Sequence, residues 1–333
     1  MMKRAYRNLQ KVANFSKMSG QDSYIRRVIA ISDIHVDYRD NLEIVESWSK
    51  EKYGKDALIL AGDVTDLTSL LETTLKRLAR VFAEVFFVPG NHDLWLRRPE
   101  FANSIEKFHE ILKMCERNGI HTKPGKLSLS AKDHIWIVPL YSWYATPEED
   151  ANDATYITPQ VPENIEKNRQ MWMDNFACKW PDLVETRSKY FANLNDEMLK
   201  PSLPFDGPVI SFSHFLPRTD LILSSKEEED AIKKERERLN LEDTTAPKRQ
   251  GGVAGFNFSR YAGAKCLETQ IRSFKSTVHV HGHQHRNRDR TIDGVRYVSH
   301  CLGYGHEREK GLLWGLHELD NGPRQVWPLV NNF

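Results

Sequence analysis

Val85-Phe86-Phe87-Val88-Pro89-Gly90-Asn91-His92-Asp93 is the stretch from which the rest of this chain is read. Its β-branched and aromatic run fits a buried strand, and Pro89-Gly90 stops that strand abruptly. An amide, an imidazole and a carboxylate follow at once, three groups that bind metal or move protons. In an open α/β sheet, ligands sit in the crevice beyond the carboxyl ends of the strands. Taken singly, Asn-His-Asp in a turn is a solvated loop. Its weight comes from other strand ends in the chain that stop in the same way.

Upstream, Val28-Ile29-Ala30-Ile31-Ser32 is a compact strand run that ends in Asp33-Ile34-His35. Ala57-Leu58-Ile59-Leu60-Ala61 ends in Gly62-Asp63-Val64-Thr65-Asp66. Between these runs, residues 40–53 place Leu42, Val45 and Trp48 at helical spacing, and Leu67, Leu70, Leu71, Leu75 and Leu78 form a second stripe. Strand, helix, strand, helix, strand predicts consecutive βαβ units with parallel strands.

Downstream, the spacing predicts a helix over 99–118 opening at Pro99 and closing at Gly119, then strands around 127–130 and 135–140. Pro208 to Ser213 returns to the strand pattern and ends in His214. A helix near 259–274 precedes Thr277-Val278-His279-Val280-His281-Gly282-His283-Gln284-His285. Strands near 291–299, 312–318 and 324–330 are expected to complete a second sheet.

Two excursions interrupt this pattern. Residues 141–207 read as a helical insertion, with helices near 163–180 and 183–199. Its aromatics (Trp143, Tyr144, Tyr156, Trp172, Trp180) are read as a small local core rather than a substrate platform. Residues 225–255 read as a mixed-charge exposed helix over 226–238, with Glu229–Lys233 and Asp230–Lys234 at i,i+4, followed by a loop.

The bulk composition narrows the function classes. The chain has 333 residues, 40% of them apolar, with 8 Trp and 15 Phe, enough for a sizeable core. The formal net charge of +1 gives no global signal for nucleic acid or an anionic membrane. No apolar stretch approaches the length that spans a bilayer. Cys115, Cys178, Cys266 and Cys301 are scattered, which argues against a disulfide framework or a thiolate zinc site and suits a reducing compartment. A cytoplasmic location is therefore expected. Residues 1–24 are basic and read as a disordered tail; an organellar location is the alternative if that tail is a transit peptide.

Five strand ends thus offer Asp33 and His35, Asp63 and Asp66, Asn91 and His92, His214, and His283 and His285. Carboxylates, amides and imidazoles without thiolates suit Mn, Fe, Zn or Ni. Glycine before Asp63, Asn91 and His283 lets the backbone approach where a Cβ would crowd the centre. The donors exceed what one tetrahedral ion needs, which points to two divalent metal ions. Ions about 3.5–4 Å apart clamp the attacking and leaving oxygens of an in-line displacement.

Asp33-x-His35, Gly62-Asp63-x-x-Asp66, Gly90-Asn91-His92-Asp93, His214 and Gly282-His283-x-His285 resemble, in order, the five motifs of the calcineurin-like metallophosphoesterase superfamily. The resemblance spans residues 33 to 285 and leaves the two insertions without a family counterpart. It implies a four-layer α-β-β-α sandwich of two mixed sheets, in one α/β domain over 25–333. It implies that Asp33, His35 and His285 bind one metal, that Asn91, His214 and His283 bind the second, and that Asp63 bridges them. A metal-bridging hydroxide would attack phosphorus in line with the leaving oxygen. His92 would protonate that oxygen or steady the developing charge, and Asp66 would orient His92 by a hydrogen bond. Arg97 and Arg98 read more simply as solvated loop arginines than as charge stabilisers. His281 and His279 read as core or edge histidines as readily as partners of the ligands, and His300 as structural or at the site rim.

The predicted activity is metal-dependent hydrolysis of a phosphate ester, with a small phosphodiester favoured over a phosphomonoester. Leu67 and Thr68 stand where the protein serine/threonine phosphatase branch carries Arg-Gly, and Asp93 where it carries Glu, so a phosphoprotein substrate is disfavoured. A nuclease would need a basic track that the balanced charge does not supply. A non-catalytic metal-binding scaffold would have lost ligands or the proton donor, and here every motif position is filled.

Overall fold

The structure, a computed structural model, describes residues 24–160, 162–241, 256–319 and 322–328. The basic tail before Tyr24 and most of the loop read over 239–255 lie outside these residues. Ten strands lie among the described residues: β1 (Arg27–Ile31), β2 (Asp56–Leu60), β3 (Glu84–Phe87), β4 (Gly125–Ser128), β5 (His134–Pro139), β6 (Val209–Phe212), β7 (Val278–His281), β8 (Arg288–Ile292), β9 (Val295–Ser299) and β10 (Arg324–Trp327). They form two mixed sheets, ordered β10-β1-β2-β3 and β4-β5-β6-β7-β9-β8.

β1, β2 and β3 pair parallel. Their unbroken apolar runs are what strands covered on both faces require. In the second sheet β5, β6, β7 and β9 run parallel, with β4 and β8 antiparallel at its edges. The main core holds side chains of both sheets, among them Ile29, Leu58 and Phe86 with Ile137, Phe212, Val280 and Val298. Leu71, Leu75 and Leu78 of the helix Thr68–Val81 and Phe108 and Ile111 of the helix Ser104–Arg117 extend that core. On the other side of the second sheet, Val138, Leu140, Val209 and Tyr297 meet Leu199, Leu267 and Ile271 from the helices Arg187–Leu199 and Cys266–Ser273. Adjacent β5 residues thus serve opposite faces, as the two-residue period demands.

Several element boundaries differ from expectation. The strand near 324–330 exists, but β10 pairs antiparallel with β1 and so belongs to the first sheet. The 312–318 segment is not extended: Gly311, Trp314 and Gly315 all have positive φ, which breaks a strand, and a short helix follows at Leu316–Leu319. The helix expected from Pro99 starts at Ser104, where Asn103 supplies the cap by accepting from the Glu106 amide. The run over 40–53 is two helices, Arg39–Glu46 and Lys50–Tyr53. Between β5 and β6 the chain forms the helices Ile165–Met171, Asp174–Ala177 and Arg187–Leu199, with no ladder strand among the described residues.

All four cysteines are free, and no described helix is long and apolar enough to cross a membrane. His279 in β7 is enclosed by serine hydroxyls, Ser211 at 2.8 Å and Ser213 at 3.1 Å. Burial holds His279 well below the ordinary imidazole value, and brings His281 and His300 down to about 4. Unfolding releases these rings to a value near 6.5, so the unfolded chain binds the extra protons. Their contribution to stability is complete above about pH 6.5 and is lost as pH falls towards 4. The urea midpoint is expected to drop between pH 7.5 and pH 5; an unchanged midpoint would mean that these histidines accept a proton in the folded state.

Candidate metal centre

The strand ends turn sharply into the site. Asp33, His35, Asp63, His283 and His285 have φ of 50, 37, 56, 72 and 51°, a left-handed conformation uncommon for residues with a Cβ. Five of the seven expected ligands therefore carry backbone strain, gathered beyond the carboxyl ends of β1, β2 and β7. The glycines that precede ligands are required by close approach. A Cβ on Gly62 would lie 2.6 Å from His214 Nδ1, one on Gly282 would lie 2.6 Å from Asp33 Oδ2, and one on Gly90 would strike Asp63 Oδ1.

Two donor groups result, each with its atoms within 4.8 Å of one another: Asp33, His35 and His285, and Asp63, His214 and His283. His35, Asp63 and His92 form a third such group that overlaps both. All these side chains are buried except those of His92 and His285, which keep 19% and 12% exposure and so mark the open side.

Hydrogen bonds on the far sides of the rings set which atoms face inward. His214 Nδ1 donates to the Ala61 carbonyl at 2.9 Å, which turns Nε2 inward as a lone-pair nitrogen. Asn91 Nδ2 donates to Asp174 Oδ1 at 2.9 Å, which turns the Asn91 Oδ1 to 3.0 Å from His214 Nε2. Two lone pairs directed at one point repel unless a positive charge lies there. His283 Nε2 donates to the Tyr261 carbonyl at 3.0 Å, leaving Nδ1 for the centre. On the other side, His285 Nδ1 donates to Glu307 Oε2 at 2.7 Å, and the Nε2 atoms of His285 and His35 stand 3.2 Å apart.

The electrostatics favour cations. Burial raises the Asp63 carboxyl well above the carboxylate range, and the neighbouring charges of Asp33, Asp93 and Asp174 raise it further. Burial opposes the charge on Asp33, yet His285, His214 and His35 hold its pKa below the usual range. Burial also opposes the charge on His285, but Asp33 and Glu307 lift it to about 9. Burial and the surrounding imidazoles press His35 and His92 well below the ordinary value, which disfavours a second proton on either ring. Buried oxygen and nitrogen donors with converging lone pairs and no thiolate fit hard or borderline divalent ions.

Asp66 departs from its expected place. Its carboxylate lies 3.0 Å from Arg97 Nε and makes no hydrogen bond to His92. Arg97 in turn covers the Trp95 ring at 4.6 Å while its side chain stays 54% exposed, so it is a solvated loop arginine that also has partners. His92 is placed instead by stacking on Trp95, with centroids 3.6 Å apart, and by its backbone N–H, which donates to Asp63 Oδ1 at 2.9 Å. The physical reason is charge: a guanidinium within 3.0 Å outcompetes an uncharged ring for the carboxylate.

Three residues near the centre have no role assigned from the sequence: Asp93, although it closes the third motif, and Asp174 and Glu307, which lie outside every motif. Asp93 accepts from the amides of Gly90, Asp63, Val64 and Thr65 at 2.8–3.1 Å, tying two ligand loops together. Asp174 accepts from Asn91, and Glu307 from His285. Only Asp93, adjacent to His92, was open to detection from its neighbours in sequence. A carboxylate behind a ligating imidazole orients the ring and raises its basicity. Glu307→Gln is therefore expected to weaken binding of one divalent ion about ten- to a hundred-fold, read by metal titration. Unchanged affinity would mean that Glu307 serves only to cap the helix Gly305–Glu309, whose capping box it also completes.

The aromatics of the 141–207 segment form a buried cluster that reaches the centre. Trp172 stacks on Tyr261 at 4.8 Å, Tyr144 meets both Phe215 and Tyr261, and Phe215 packs on His283 at 4.4 Å.

Strand ends of two facing sheets that deliver nitrogen and oxygen donors to one small volume define a metal-dependent phosphoesterase, a hydrolase of ester bonds. This chain belongs to the calcineurin-like phosphoesterase family, whose family model matches residues 26–287. It is 25% identical over 317 residues to acyl-carrier-protein phosphodiesterase PptH of Mycobacterium tuberculosis, covering 91% of this chain and 86% of that protein. The crystal structure of phosphopantetheinyl hydrolase (PptH) from the same organism superposes with a TM-score of 0.64 at 22% identity, over 92% of this chain and 98% of that one.

Proposed function

We propose that this protein hydrolyses a phosphodiester, and that the diester is the phosphopantetheinyl linkage on an acyl carrier protein. Two buried donor groups sharing one wall carry the chemical part of this reading. Similarity to PptH along nearly the whole chain supports the choice of substrate over the small phosphodiester read from sequence.

Asp33, His35 and His285 would hold one divalent ion, and Asn91, His214 and His283 a second, with Asp63 reaching both. The donor set suits Mn, Fe, Zn or Ni. Such ions lower the pKa of water to within reach of neutrality and neutralise charge developing on phosphate. The chain's own residues do the rest. Asp93 fixes the loops that carry Asp63 and Asn91, and the glycines let those loops close on the donors. His92, stacked on Trp95, presents a ring N–H towards the leaving oxygen from the open side and would steady the charge that develops there. Water's oxygen joins phosphorus, the bond from phosphorus to the carrier serine oxygen breaks, and the proton that the water gives up ends on that serine oxygen.

The test is intact-mass measurement of a holo acyl carrier protein incubated with the Mn²⁺-loaded protein. Conversion to the apo form, with release of phosphopantetheine, is expected. An unchanged carrier, under conditions where a small diester is cleaved, would contradict the carrier substrate and restore the small-substrate reading.

A further inference from the structure

The segment between β5 and β6 enters the metal centre through one carboxylate. Asp174 opens the short helix Asp174–Ala177 and is 3% exposed. Its Oδ1 accepts from Asn91 Nδ2 at 2.9 Å and from Trp95 Nε1 at 2.6 Å, and its Oδ2 accepts from Trp172 Nε1 at 2.9 Å. Three donors converge on this one side chain, two from the 91–95 turn and one from Trp172 in its own segment. The indoles fix the carboxylate, and the carboxylate fixes the amide.

An asparagine amide can present either its oxygen or its nitrogen to a neighbour. Oxygen binds a cation; the NH₂ group does not. At position 91 the choice is decided by Asp174, since only the NH₂ end can donate to it. The oxygen is thereby left 3.0 Å from His214 Nε2, where both lone pairs meet. Trp172 also lies edge-on to His283, with centroids 5.7 Å apart, and stacks on Tyr261, whose carbonyl holds the His283 ring. The 172–174 segment therefore touches or backs the Asn91, His214 and His283 face and no donor of the other group.

We propose that Asp174 is a positioning residue that orients Asn91 for one divalent ion, so that this ion's binding depends on the β5–β6 insertion. This rests on the reading of Asn91 as a ligand. It assigns the insertion a role in assembling the centre, distinct from any contact with substrate.

The test uses the full chain stripped of metal and titrated with Mn²⁺, with stoichiometry read by metal analysis and ion coupling by EPR. Wild type is expected to bind two ions and give a coupled dinuclear signal. Asn91→Ala tests the underlying reading: if it leaves both ions bound as in wild type, Asn91 is not a ligand and that reading fails. Given loss in Asn91→Ala, Asp174→Ala is expected to weaken one ion about ten- to a hundred-fold and yield a mononuclear signal. Two ions at wild-type affinity in Asp174→Ala would overturn the proposal while leaving Asn91 a ligand.

An exchange of the pair decides the matter if Asp174→Ala does not fold. Asn91→Asp alone faces two carboxylates and is expected to lose the second ion. Asn91→Asp combined with Asp174→Asn restores a donor and an acceptor, and is expected to recover that ion to within a few-fold of wild type. No recovery in the double variant would overturn the proposal.

Discussion

Asp63→Ala is expected to lower turnover by more than about 10³-fold, equivalent to about 4 kcal/mol of transition-state stabilisation. The side chain bridges the donor groups: its Oδ1 lies 3.5 Å from His214 Nε2 in its own group, and the carboxylate lies within 4.8 Å of His35 in the other. Its Oδ1 also accepts the His92 amide, so removal loosens the proton-bearing loop as well. Asp63→Asn separates these effects, because it keeps the shape and an oxygen for that amide. Burial and the charges of Asp33, Asp93 and Asp174 disfavour an anion at position 63 in the metal-free protein. The neutral amide is therefore expected to raise metal-free stability by about 0.5–2 kcal/mol while activity falls. Thermal unfolding of stripped protein beside steady-state rates checks both signs. Equal stability together with full activity would show that Asp63 lies outside the reacting centre.

His92→Ala is expected to reduce kcat about 10²- to 10⁴-fold and to leave the metal content of the protein unchanged. The ring is partly exposed on the open side and held by the face of Trp95. The bond to Asp63 comes from the backbone N–H, which alanine retains. Loss of the ring thus removes an N–H donor from the leaving-oxygen side without dismantling the donor groups. Metal analysis beside kcat and KM distinguishes this from a ligand role. A fall in bound metal parallel to the fall in rate would place His92 among the ligands.

The sequence exposes what repeats and hides what converges. β1, β2, β3 and β6 each end in a polar residue that an apolar strand gives no reason to place there, and this regularity is visible without coordinates. Gly62, Gly90 and Gly282 are legible for the same reason: each stands one position before a donor, and each turns out to lack room for a Cβ. The parallel strands follow from alternating strands and helices, while the two mixed sheets are what the family resemblance implies.

Contacts between distant segments follow no pattern in the chain. Asp174 meets Asn91 across 83 positions, from a segment whose aromatic composition indicated only a local core. Glu307 sits in a short helix after the last motif, 22 positions from His285. β10 shows the limit for strands. Its pattern marks it as extended, but pairing with β1 instead of the second sheet is decided by which edge remains open after the other strands have packed. Asp66 fails for a related reason: spacing places it near His92, but the preference of a carboxylate for the Arg97 guanidinium depends on a loop path that spacing does not fix.

The central claim is that two divalent ions, held by these seven side chains, support phosphodiester hydrolysis. The most direct measurement is turnover of bis-p-nitrophenyl phosphate beside p-nitrophenyl phosphate by stripped protein titrated with Mn²⁺. No turnover is expected after stripping, with recovery that saturates at two ions per chain and preference for the diester. Diester turnover that survives stripping, saturation at a single ion, or cleavage of the monoester alone would contradict that claim.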